Sequence, residues 1–221
     1  MQGKLIVFEG TDGSGKSTQF RLLCDRLNKE KIEFHNIVFP RYSEDSSAMV
    51  RAYLNGEFGT KPTDVSAYAA STFYAIDRFA SYRLDWGKLY QNGALILSDR
   101  YTTSNAAHQG AKLSDAEQPD YYDWLYDFEY RILGLPRPDL VIYLNVDIDT
   151  SLRLMQERQR ATNTEGDIHE TDTDYLRSCI RAGQNAASHY GWHVIDCVSN
   201  GNMRGMEDIH EEIYSLVRSV L

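Results

Sequence analysis

Short, almost uninterrupted apolar runs alternate along the chain with longer stretches whose apolar residues recur every three or four positions. The runs are "KLIVFE" (4–9), "EFHNIVF" (33–39), "GALILS" (93–98), "DLVIYLNV" (139–146) and "WHVIDC" (192–197). A strand covered on both faces reads this way, without the polar alternation of a half-exposed one. The longer stretches read as helices. One follows residues 10–17. A second is predicted over 64–91, with Pro62 and Thr63 as start signals and Val65, Ala69, Phe73, Ile76, Ala80 and Leu84 at helical spacing. A third, at the C-terminus, carries Met206, Ile209, Ile213, Val217 and Val220. Such β/α alternation predicts an α/β fold with a five-stranded parallel sheet flanked by helices. Segment 157–174, "ERQRATNTEGDIHETDTD", breaks the pattern. It is almost wholly polar and so cannot be core. Its composition suits a solvated loop, and its length within a compact domain suits an active-site lid.

Length and composition narrow the class. With 221 residues, 42% of them hydrophobic, the chain is expected to form a single domain with the lid inside it. A net charge of −9 argues against a nucleic-acid surface while leaving room for local anion sites. No apolar run approaches the ~18 residues of a membrane span, and no cleavable signal pattern precedes the first strand. Cys24, Cys179 and Cys197 are odd in number and far apart, so they read as free thiols of a reducing, cytoplasmic protein.

The chemistry begins at "GTDGSGKS", residues 10–17, which fits G-x-x-x-x-G-K-[ST] between a strand and a helix. In such a P-loop, backbone N–H groups and the helix N-terminus hold phosphate. Gly10, Asp12, Gly13, Ser14, Gly15, Lys16, Ser17 and Thr18 are therefore the expected donor-nucleotide site. Lys16 would reach the β- and γ-phosphates, Ser17 would face Mg²⁺, and Asp99 at the end of the third strand is a second candidate metal ligand. No N-K-x-D motif is present, which disfavours a GTPase. Ligands of open parallel sheets sit beyond the carboxyl ends of the strands. Two further polar clusters fall there: Phe39, Arg41 and Tyr42 after the second strand, and Arg100, Ser104, Asn105 and His108 after the third. On the long helix, Tyr74 and Arg78 are four apart and share a face, which suits stacking and hydrogen bonding to a nucleobase. The competing reading is a core tyrosine beside an Arg78–carboxylate salt bridge.

Together, "FEGTDGSGKSTQ", "FPRY", "YLNGEFG", "FYAIDR" and "DRYTTSNAAHQGAKL" resemble the thymidylate kinase family over nearly the whole chain. The resemblance implies a P-loop kinase fold, transfer of phosphate from ATP to dTMP with Mg²⁺, and a homodimer packed through helices, with 64–91 the candidate. It accounts for the carboxylate inside an anion-binding loop: Asp12 would accept a hydrogen bond from the 3′-hydroxyl of the acceptor. Tyr74 would stack on thymine, Arg78 would reach O4, and Asn105 with Ser104 would read the other polar edge. Arg100, Arg41 and Tyr42 would hold the acceptor phosphate. Two positions depart from the family pattern. Gly13 stands where one branch has an arginine, so the catalytic cations would be Lys16, Arg100 and the lid residues Arg158 and Arg160. His108 replaces a tyrosine that crowds the sugar 2′ position, which leaves selection of deoxyribose open. The nearest alternatives are another nucleoside monophosphate kinase or a deoxynucleoside kinase, and the latter would want a carboxylate base where "FPRY" stands. A silent nucleotide-binding protein would not need Lys16 and the lid arginines.

Overall fold

The computed structural model describes residues 2–11, 13–162 and 173–221, with side chains at 156 and 158–162 also outside the description. Every predicted strand is present: β1 has the expected bounds, the third strand starts two residues later and runs one further, to Asp99, and the other three are shorter by one or two residues at their ends. In chain order come β1 (Lys4–Glu9), α1 (Lys16–Lys29), β2 (His35–Val38), α2 (Ala48–Leu54) and α3 (Ala67–Ser81). A π-helical turn, Tyr82–Trp86, joins α3 to α4 (Gly87–Gln91). β3 (Leu95–Asp99), α5 (Thr102–His108) and α6 (Gln118–Tyr126) follow, and a second π-helical turn, Asp127–Ile132, extends α6. The chain ends with β4 (Leu140–Asn145), α7 (Ile148–Thr162), α8 (Thr173–Tyr190), β5 (His193–Asp196), a small hairpin of β6 (Val198–Ser199) and β7 (Asn202–Met203), and α9 (Met206–Val220).

The main sheet has the order β2-β3-β1-β4-β5 with every pair parallel. Successive side chains of a strand point to opposite faces, and β1 feeds two cores in this way. Leu5 and Val7 join Trp86, Tyr121, Tyr122 and Ala186 on one face. Ile6 and Phe8 join Leu23 and Leu27 of α1 and Ile209, Ile213 and Val217 of α9 on the other. A third, smaller cluster joins α2 to α3 through Val50, Tyr53, Leu54 and Ala70.

The long helix differs from expectation at its start and in its buried face. Residues 62–64 form a 3-10 turn and Val65 is extended, so the α-helix begins at Ala67. Ser66 caps it, its Oγ accepting from the Ala69 N–H at 3.2 Å. The apolar stripe that predicted the helix is largely its outer face: Ile76 is 54% and Leu84 79% exposed. Small and charged residues line the inner face instead, namely Ala67, Ala70, Ser71, Ala75, Asp77 and Arg78. Small residues let the backbones approach closely, and the charges are buried with partners described below. Of the expected lid, 157–162 prolongs α7, 173–174 opens α8, and 163–172 lies outside the described residues.

Candidate active site

β1 ends in Glu9, and the chain turns at once through Gly10, Gly13 and Gly15, which have φ of 153°, 79° and 80°. Side chains disfavour these angles. Gly13 is restricted twice over, because a Cβ there would meet the Ser151 carbonyl of α7 at 2.5 Å. The P-loop therefore has no room for a cationic side chain at position 13, and α7 roots directly against it. Gly15 caps α1, and Lys16 and Ser17 open the helix, with Thr18 half-buried behind them. The buried Ser14 Oγ has no hydrogen-bond partner among the described residues. Lys16 is buried and ion-paired to Asp99. Burial, then the neighbouring Arg100, pull its ammonium below the ordinary lysine range, opposed by Asp99 and Glu9.

β3 delivers Asp99 beside the P-loop, and Arg100 follows in a left-handed conformation, φ 68°. A non-glycine residue seldom adopts this angle, and such strain concentrates at functional sites. Local bonds hold it: the Arg100 N–H donates to the Phe8 carbonyl at 3.0 Å, and Ser98 Oγ donates to the Arg100 carbonyl at 2.5 Å. The guanidinium then reaches Glu9 at 3.5 Å and His108 Nε2 at 3.2 Å. Because arginine only donates, His108 Nε2 must be the acceptor.

A pocket of about 620 Å³ opens above these strand ends. Most of the predicted residues line it: Lys16, Ser17, Phe39, Arg41, Tyr42, Tyr74, Arg78, Asp99, Arg100, Ser104, Asn105 and His108. Gly10, Gly13, Ser14, Gly15 and Thr18 form the adjoining loop and helix start. Asp12 and the side chains of Arg158 and Arg160 lie outside the described residues. Every arginine here has carboxylate partners. Arg41 meets the buried Asp77 through its backbone N–H (2.8 Å) and Nε (3.2 Å), and Asp85 through Nη1. Arg78 meets Glu129. The salt-bridge reading of Arg78 is thus correct, yet the same side chain borders the pocket. Asn105 Nδ2 donates to the Ser71 carbonyl at 3.2 Å. Phe39 is almost fully buried against Tyr101, which makes it a wall of the pocket.

Two further residues belong to the site. Glu9, wholly buried, accepts from the Gly10 N–H (2.9 Å), Thr103 (2.8 Å) and Ser104 (2.6 Å). It thereby ties the P-loop to the start of α5 and to Arg100. Its sequence signal is a carboxylate closing an otherwise apolar strand. Gln109 lines the pocket, 1% exposed, and its Oε1 has no partner among the described residues. An unpaired carboxamide oxygen in a pocket-lining residue suits a ligand that offers a donor.

For a metal, the described residues contain no cluster of three or more His, Cys, Asp or Glu. Ser17 and Asp99 offer a hydroxyl and a carboxylate to the same pocket. That oxygen pair fits Mg²⁺, which takes few protein ligands and completes its shell with water and substrate phosphates. No helix among the described residues is long and apolar enough to cross a membrane.

Comparison with known proteins gives a consistent result. The family model described as thymidylate kinase matches residues 8–213. The thymidylate kinase of Mycobacterium tuberculosis is 31% identical over 77% of this chain and 79% of its own length. That of Homo sapiens is 32% identical over 96% of this chain and 88% of its own. Among solved structures, the thymidylate kinase from Candida albicans superposes with a TM-score of 0.70 at 21% identity, covering 99% of this chain and 92% of that one.

Proposed function

The chain belongs to the thymidylate kinase family and phosphorylates dTMP to dTDP, and from that premise we propose how its residues carry out the transfer. ATP lies along the P-loop, its phosphates on the N–H groups at the start of α1 and on Lys16. Thymidylate fills the pocket, with its ring on Tyr74, its polar edges toward Arg78, Asn105 and Gln109, and its phosphate toward Arg100, Arg41 and Tyr42. Asp12 takes the sugar 3′-hydroxyl. Mg²⁺ held by Ser17 and Asp99 would neutralise the ATP phosphates. The acceptor phosphate is already ionised at neutral pH and needs no general base, so catalysis is positioning and charge neutralisation. Arg158 and Arg160 supply cations from the lid. The observation that carries this reading is the convergence of Lys16 and Arg100 on one pocket that also holds Tyr74, Arg78 and Asn105.

The test is ADP release with dTMP, dUMP, UMP, dCMP and AMP as acceptors. dTMP is expected to lead, and no preference among pyrimidines would overturn the base assignments. His108, held against Arg100 at 3.2 Å, offers a smaller ring than tyrosine beside the sugar. His108→Tyr is therefore expected to raise the ratio of kcat/KM for dTMP over its ribonucleotide form. An unchanged ratio would remove His108 from sugar selection.

Assembly is the second part of the proposal. Ile76, Phe79 and Leu84 form an exposed apolar stripe on α3 and the turn after it, 54%, 39% and 79% accessible. Neighbouring apolar residues exposed together mark an interaction surface, and the stripe suits a second copy of the chain. Leu84→Asp is expected to convert a dimer to a monomer in sedimentation velocity. A variant that sediments like the wild type would exclude the stripe. The proposed location is the cytoplasm, where its three free thiols stay reduced.

A further inference from the structure

Arg78 and Glu129 are the most deeply buried ion pair of the site, with side chains 1% and 0% exposed. They are 51 residues apart and belong to no common motif. Arg78 Nε donates to Glu129 Oε2 at 2.7 Å and Nη2 donates to Oε1 at 2.5 Å, a side-on fork. Thr102 Oγ1 donates to the same Oε2 at 2.7 Å and so fixes the carboxylate. Nη1 donates to the Tyr101 carbonyl at 3.3 Å. Stability alone does not explain such a pair, since well-packed apolar residues in its place are often as stable or more so. What the pair provides is orientation.

We propose that Glu129 is a positioning residue that makes the pocket selective for a carbonyl, and against an amino group, at the pyrimidine 4-position. The proposal rests on the reading of Arg78 as the residue that meets that position. A guanidinium has five N–H groups. The fork takes up the Nε–Nη2 edge and Tyr101 takes one hydrogen of Nη1. One hydrogen on Nη1 and one on Nη2 remain, on a side chain that borders the pocket. Both are donors, so the ligand atom opposite must accept. Thymine and uracil offer a carbonyl there. Cytosine offers an amino group, which sets donor against donor and leaves buried N–H groups unsatisfied, the strongest kind of discrimination a polar site has. An arginine free to turn could swing aside for the amino group. Arg78, held by two bonds to a buried carboxylate, cannot. The carboxylate arrives on a π-helical turn, Asp127–Ile132, and such local widening of a helix is common where a side chain must be aimed at a functional site.

The test compares Glu129→Gln, Arg78→Gln and the double variant by steady-state kinetics with dTMP and dCMP. Glu129→Gln is expected to raise KM for dTMP about tenfold with kcat within about threefold, the signature of lost ground-state binding. The dTMP-to-dCMP ratio of kcat/KM is expected to fall about tenfold or more. The double variant is expected to be no worse than Arg78→Gln alone, because residues acting through one contact are not additive. A general loss of packing would lower activity toward both nucleotides alike and leave the ratio unchanged, and that result overturns the proposal. Should Arg78→Gln leave the ratio unchanged, the base-reading role of Arg78 falls and Glu129 with it. Should Arg78→Gln shift the ratio while Glu129→Gln does not, only the role of Glu129 falls. If Glu129→Gln does not fold, Thr102→Val decides. It keeps the ion pair, removes one bond to the carboxylate, and is expected to lower the ratio about threefold. An unchanged ratio in that variant overturns the proposal.

Discussion

Replacing Arg158 and Arg160 together by alanine is expected to lower kcat by about 10³ or more, while the dissociation constant for dTMP stays within about twofold. The transferring phosphoryl group develops charge on its equatorial oxygens, and Lys16 is the one cation the P-loop supplies. A second cation cannot come from position 13, because Ser151 of α7 occupies the space a side chain there would need. The helix that closes off this position continues to Thr162 and carries both arginines in its last turns. An arginine acting in the transition state lowers kcat and kcat/KM together and leaves ground-state binding alone. Surface pairing with lid carboxylates would instead be worth ~0–1 kcal/mol and would leave kcat nearly intact. Steady-state rates and equilibrium titration of dTMP decide between them. A double variant that keeps more than about a tenth of wild-type kcat would end the lid-arginine mechanism.

Lys16→Met is expected to have the next largest effect, a fall in kcat of about 10² to 10³, the size found when one preorganised donor to a developing charge is removed. Methionine keeps the length and apolar stem of the side chain, so α1 retains its packing through Leu23 and Leu27. Asp99 would lose its cationic partner. A modest drop in Tm is therefore expected, with the fold intact. Thymidylate affinity should change little, because the proposed holders of the acceptor phosphate are Arg100, Arg41 and Tyr42. Single-turnover measurements at saturating nucleotides give the chemical step directly. Retention of most of that rate would mean that Lys16 serves Asp99 and not the transfer.

The parts of the site that were legible in the sequence are those carried by local pattern. The central strands β1, β3 and β4 announced themselves because residues covered on both faces must be apolar throughout, whereas the edge strands β2 and β5 kept apolar runs although they are partly exposed, and the P-loop announced itself because its glycines have to turn. Lys16, Arg100, Ser104 and Asn105 follow directly from strand ends. The long helix was found through Ile76 and Leu84, residues that turned out to face outward. Its inner face has too few large apolar residues for periodicity to mark it. Glu9, Asp77 and Glu129 could not be placed because each acts through a partner far away in sequence: Thr103, Arg41 and Arg78 lie 94, 36 and 51 positions off. A carboxylate in a helix looks like solvated surface until the opposite charge is brought to it. Gln109 sits one residue beyond a recognised cluster, and only burial separates it from an ordinary surface glutamine.

The pairing of the pocket cations among the described residues has a consequence for how substrate arrives. Lys16, Arg41, Arg78 and Arg100 face Asp99, Asp77, Asp85, Glu129 and Glu9, so formal charges of +4 and −5 leave the neighbourhood close to neutral. The chain as a whole carries −9. A dianionic nucleotide approaching this surface meets, among the described residues, cations that are already paired, so diffusional capture draws less on the acceleration that an unpaired basic cleft gives. At contact, phosphate oxygens would compete with the carboxylate oxygens already on Lys16, Arg41 and Arg100. Recognition is then an exchange of partners. Its selectivity comes from which anion fits the preset geometry, not from how strongly negative charge is drawn in.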